Sequence, residues 1–136
     1  MVDPVETLVQ AAADAQPVIL VVEDNFLLRW PVCEFLRDSG YRVVEAASVQ
    51  EAIAVFSSNV PVDMVFSDVD LQGELKGNAL SSWLREHHPD MPMLMTSGDR
   101  SACESVLTTP TRLFIAKPYA LAEVDQLIRS ALARND

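Results

Sequence analysis

From residue 17 onward, short apolar runs alternate with longer stretches of helical periodicity, and the rhythm repeats five times. That alternation is the signature of an α/β protein built on a parallel sheet. The first run, Pro17-Val18-Ile19-Leu20-Val21-Val22, is continuously apolar and β-branched, as a central strand covered on both faces requires. Phe26, Leu27, Trp30, Cys33, Phe35 and Leu36 then give a mostly apolar helical face over 26–38, which Ser39-Gly40 ends and Pro31 interrupts. Trp30 is expected to pack within the fold.

The second strand is predicted over 41–45. Ser48-Val49-Gln50-Glu51 has capping-box spacing and opens the second helix, in which Ala52, Ile53, Val55 and Phe56 recur at helical period. A third strand over 62–67 leads into a polar, glycine-containing loop, 68–77, and a third helix from Asn78 to Pro89. Residues 91–96 form the fourth strand, 100–107 a weakly amphipathic fourth helix, 112–116 the fifth strand and 121–133 the last helix. The expected fold is therefore flavodoxin-like: a doubly wound, five-stranded parallel sheet in the order 2-1-3-4-5, with helices on both faces. Residues 1–16 are expected to be an N-terminal extension, helical or disordered, 17–134 the domain itself, and 135–136 a tail.

Composition narrows the function. A chain of 136 residues, 49% hydrophobic, holds one domain with its own core. Its net charge of −10 repels a phosphate backbone, so direct nucleic-acid binding is not expected. No apolar run spans a bilayer and the N-terminus lacks the features of a secretory signal, so a cytoplasmic location away from the membrane is expected. Cys33 and Cys103 form no spaced cluster, which argues against a disulfide framework or a zinc site. Trp83 reads as a packing residue, and His87-His88 as solvated surface.

Carboxylates sit at the ends of two neighbouring strands: Glu23 and Asp24 after the first, Asp68 after the third. In the expected strand order both ends meet at the topological switch point, where open parallel sheets build their sites. Crowded carboxylates repel, and all-oxygen ligation suits Mg²⁺ or Mn²⁺. Glu23-Asp24 alone would also serve as a helix cap. The fourth strand, however, ends in Thr96-Ser97-Gly98 and the fifth in Lys117-Pro118. A hydroxyl, a backbone N–H beside a small residue and an ammonium are the donors that a phosphoryl group on a carboxylate needs.

With these residues in chain order, the segment 17–134 resembles the receiver domain of two-component response regulators. The resemblance implies that Asp68 accepts a phosphoryl group from a sensor histidine kinase or a histidine phosphotransfer protein. It makes Asp24 and Asp68 metal ligands, with the Asp70 backbone carbonyl, and has Glu23 act through metal-bound water. Thr96 and Lys117 would bind the phosphoryl oxygens, and Phe114 would be the switch aromatic that moves with Thr96. It further implies a downstream protein target of unstated identity and a homodimer through the face formed by 100–107, 112–116 and 121–133. Catalysis would be limited to the domain's own phosphorylation and dephosphorylation. One departure is the loop after the acceptor, where Leu71 is followed by Gln72 and Gly77 lies late. Two other readings stay open. Asp68-Val69-Asp70 resembles the DxD nucleophile motif of haloacid-dehalogenase-type phosphatases, and the strand order also suits a flavin-type module, although Glu23-Asp24 has the wrong charge for a phosphate loop.

Overall fold

The computed structural model describes residues 16–70, 77–98 and 111–134. The expectations for 1–15, for most of the 68–77 loop, for the 100–107 helix and for the 135–136 tail lie outside the described residues. Five parallel strands, β1 (Val18–Val22), β2 (Arg42–Ala46), β3 (Met64–Asp68), β4 (Met93–Ser97) and β5 (Arg112–Ala116), form one sheet in the order β2-β1-β3-β4-β5. Among the described residues four helices accompany it: α1 (Phe26–Asp38), α2 (Val49–Ser57), α3 (Gly77–His87) and α4 (Leu121–Arg134).

Alternation along the strands divides the core in two. Ile19, Val21, Met64, Phe66, Leu94 and Ile115 pack with α1 and α4, whereas Leu20, Val22, Val65, Met93 and Met95 pack with α2 and α3. This is why β1, β3 and β4 are buried along their whole length and read as unbroken apolar runs. The polar exceptions, Ser67, Asp68, Thr96 and Ser97, all fall at the carboxyl ends of β3 and β4. Those ends are where the sheet carries chemistry instead of core.

The local signals act much as the sequence suggests. Ser48 Oγ accepts from Glu51 N at 3.1 Å, while Glu51 reaches back to the Ala47 N–H, one residue earlier than in the usual box. Ser39 closes α1, and Gly40 follows at φ 104°, a region that L side chains avoid. At the opposite end of the sheet, the buried Arg112 guanidinium donates to Ser81 Oγ, Ser81 O, Met91 O and Thr111 Oγ1, tying β5 to α3. These bonds replace the water that a buried cation loses.

Two expectations need correction, those for Trp30 and His88. Trp30 does not pack: it is 53% exposed, and with Phe26, Leu27 and Leu28 it leaves the first turns of α1 apolar and open. Only Val32, Cys33 and Leu36 of this helix are buried, because its C-terminal half alone lies on the sheet. Pro31 sits inside the helix without breaking it. His88 is half-buried rather than solvated, with its ring 4.8 Å from Phe56 and 5.6 Å from Trp83. His87 is exposed as expected but stacks on Trp83, which packs against the α2–α3 core.

Candidate functional site

The β1 and β3 ends bring Glu23, Asp24 and Asp68 together, each offering a carboxylate oxygen, with these atoms within 4.8 Å of one another. Capping does not explain the acidic pair. The cap of α1 is Asn25, whose Oδ1 accepts from Leu27 N at 2.9 Å. Glu23 is turned inward, holding the Asn25 N–H, and is buried with Asp68. Arg29, which the sequence reading passed over, donates to the Glu23 carbonyl at 2.7 Å and pairs with Glu45 at 2.9 Å. It fixes the backbone that presents the acidic pair.

Electrostatics at this spot are strained unless something positive is near. Burial, reinforced by the hydrogen bond and the charge of Asp68, pushes the Glu23 carboxyl up to about 8. A proton therefore neutralises part of the cluster near neutrality, in the place where a divalent cation would do the same. The donor set is oxygen only, as a hard cation prefers. Asp70 does not join with its side chain: that carboxylate accepts from Ser97 Oγ and from Gly98 N, while its own N–H donates to Asp68 Oδ1 at 2.9 Å.

Lys117 at the end of β5 donates to Asp68 Oδ2 at 2.9 Å. Burial works against its charge, but the hydrogen bond to Asp68 and the charges of Asp68, Glu23 and Asp70 outweigh it and raise its pKa. A cis peptide bond joins Lys117 to Pro118. Thr96 is the register partner of Asp68 on the neighbouring strand, and its carbonyl accepts from Val69 N at 2.9 Å. Its hydroxyl is buried with no hydrogen-bond partner among the described residues, a condition that native cores rarely tolerate without a functional reason. Phe114 is half-buried on β5 and packs against the α2–α3 core.

A residue that sequence reading missed is Tyr119. Its ring meets Phe66 edge-on at 5.9 Å, and burial together with the charges of Glu23 and Asp68 pushes its hydroxyl up to about 12. With Glu23, Leu28, Lys117 and Pro118 it lines a cavity of about 400 Å³ opening beside the lysine. Only its place two residues after Lys117 could have pointed to it.

Comparison with known proteins agrees with this geometry. The chain is 32% identical to the sensor kinase CckA of Brucella abortus, over 96% of this chain and 14% of that protein. It is 31% identical to the probable transcriptional regulatory protein TcrX of Mycobacterium tuberculosis, over 90% of this chain and 53% of that one. It thus spans from about a seventh to about half of these relatives. Among solved structures, the receiver domain of NtrX from Brucella abortus matches with a TM-score of 0.77 and 30% identity, covering 85% of this chain and 98% of that one. A response regulator receiver protein from Sinorhizobium medicae gives a TM-score of 0.81 at 23% identity, over 90% of this chain and 98% of that one, which speaks to the fold alone. The family model for the response regulator receiver domain matches residues 19–129, and the chain belongs to that family.

Proposed function

We propose that this domain is a phosphoacceptor, and that Asp68 takes a phosphoryl group from a phosphohistidine of a sensor kinase or phosphotransfer protein. The N–P bond of the donor breaks as an O–P bond to an Asp68 carboxylate oxygen forms. The observation that carries this reading is the buried Thr96 hydroxyl, without a partner among the described residues and one strand across from an acceptor carboxylate already held by Lys117. An orphaned donor there has a purpose if a phosphoryl oxygen becomes its partner. Glu23, Asp24, Asp68 and the Asp70 carbonyl are suited to hold Mg²⁺ or Mn²⁺, which when bound offsets charge on the transferring phosphoryl group. Lys117 orients and neutralises the same group from the other side.

On this reading the domain acts on no outside substrate. Its catalysis is confined to gaining and losing its own phosphoryl group, because the Asp70 carboxylate, the general acid of a DxD phosphatase, is occupied by Ser97 and Gly98. The exposed Phe26, Leu27, Leu28 and Trp30 beside the site offer the kinase or phosphotransfer protein an apolar docking face. Thr96 and Phe114 would pass the change to a downstream protein or to a second copy through the β5–α4 side. A cytoplasmic setting fits a kinase partner, and no helix among the described residues is long and apolar enough to cross a membrane.

The test is incubation with acetyl phosphate or phosphoramidate and Mg²⁺, followed by intact-mass measurement. Wild type should gain one phosphoryl group and Asp68→Asn none. An adduct that persists unchanged in Asp68→Asn would overturn the assignment.

A further inference from the structure

The phosphoacceptor reading uses the backbone of Asp70 and leaves its carboxylate without a role. That side chain is nonetheless firmly held. Ser97 Oγ lies 3.0 and 2.9 Å from its two oxygens, and Gly98 N donates to Oδ2 at 3.2 Å. At its other end the residue donates its own N–H to Asp68 Oδ1. Asp70 therefore ties the acceptor directly to the two residues that follow Thr96. Hydrogen bonds to a carboxylate are among the stronger ones, and Ser97 is fully buried, so this tie restrains the end of β4.

We propose that the Asp70–Ser97–Gly98 contact is a latch that holds the end of β4 in its resting position and opposes phosphoryl binding, making Asp70 and Ser97 positioning residues of the site. The proposal rests on the phosphoacceptor reading. Its physical basis is the cost visible next door: Thr96 Oγ1 has no partner among the described residues, while Ser97 and Gly98 after it are fastened to Asp70. An anion on Asp68 changes both sides of the balance. It gives the Thr96 hydroxyl a partner, and it sets added negative charge beside the Asp70 carboxylate. A ligand moves such an equilibrium only by its different affinity for the two arrangements, so whatever the latch contributes is subtracted from the apparent affinity.

The experiment is titration of the full chain, in Mg²⁺, with beryllofluoride as a phosphoryl mimic, followed by calorimetry. Ser97→Ala removes the latch donor and keeps the Asp70 charge, so electrostatic relief alone cannot produce the expected gain of about tenfold in affinity. Asp70→Ala should gain at least as much, since it loses both latch and charge. Adding Ser97→Ala to Asp70→Ala should then change nothing, because the double-mutant cycle isolates the pair from any other contact of Ser97. Affinity of Ser97→Ala within about twofold of wild type, or weaker, overturns the latch, as does simple additivity in the cycle. If wild type binds no beryllofluoride, the phosphoacceptor reading itself fails and the latch falls with it. Binding in wild type that Asp68→Asn abolishes, combined with an unresponsive Ser97→Ala, overturns the latch alone.

Discussion

Removing a carboxylate from the acidic cluster should make the metal-free protein more stable, and Asp24→Asn is the cleanest way to do it. Asp24 is half-buried and keeps its shape as asparagine, and the Lys117–Asp68 pair stays in place when it is changed. Its carboxylate has a ligand oxygen within 4.8 Å of those of Glu23 and Asp68. At such a separation Coulomb's law gives roughly 3.5 kcal/mol for two full charges at an effective dielectric of about 20, and about 1 kcal/mol in bulk water. Glu23 is largely protonated at neutral pH without metal, so Asp68 is the main partner and solvent screens part of the repulsion. A net gain of about 1–2 kcal/mol follows, which for a chain of this size raises Tm by roughly 4–8 °C. Mg²⁺ should reverse the order. Millimolar metal stabilises a folded protein that binds it, so wild type should rise and Asp24→Asn should stay flat. The assay is thermal unfolding by circular dichroism on chelator-treated protein, with and without Mg²⁺. A variant less stable than wild type without metal, or one that gains equally from Mg²⁺, would refute the charge argument.

Two further outcomes can be checked with little material. The chain has two tyrosines, and both are raised: Tyr119 to about 12 through burial and the charges of Glu23 and Asp68, and Tyr41 through burial and its hydrogen bond to Asp125. Because the folded state keeps these protons when the unfolded chain would lose them, stability falls as pH rises above about 10, and tyrosinate absorbance should stay absent near pH 11 until the protein unfolds. A smooth rise centred near pH 10 in folded protein would contradict the burial of both rings. Gly40→Ala should destabilise by about 1–2 kcal/mol through backbone strain alone, since φ is 104° and a Cβ there meets nothing within 4 Å. Denaturant unfolding reads this directly, and an unchanged midpoint would show that the α1–β2 turn adapts at no cost.

What the sequence revealed and what it hid follow from how local each cause is. Strand order and the rim of the site depend on period, on the unbroken apolar runs of β1, β3 and β4, and on which residue ends each strand. All of these are written along the chain, so Glu23, Asp24, Asp68, Thr96 and Lys117 were found without coordinates and do converge. The first turn of α1 misled because periodicity reports apolarity, not contact. Phe26, Leu27 and Trp30 satisfy a helical pattern, yet the helix meets the sheet only from Val32 onward. The same residues can satisfy the pattern whether they face a core or a partner, and only the crossing of helix and sheet decides.

The Asp70 side chain shows a different limit. Its spacing from Asp68 suggested a ligand through its backbone carbonyl or, in the DxD phosphatase reading, a general acid, and only the second assumes that the carboxylate faces the site. In the fold it faces Ser97 and Gly98, residues 27 and 28 positions away, and so becomes a tie between two loops. No local pattern specifies such a pairing, because it exists only once β3 and β4 lie in register. The charge that a phosphoryl group on Asp68 brings would therefore act on a contact made by tertiary structure, one that no run of neighbouring residues encodes.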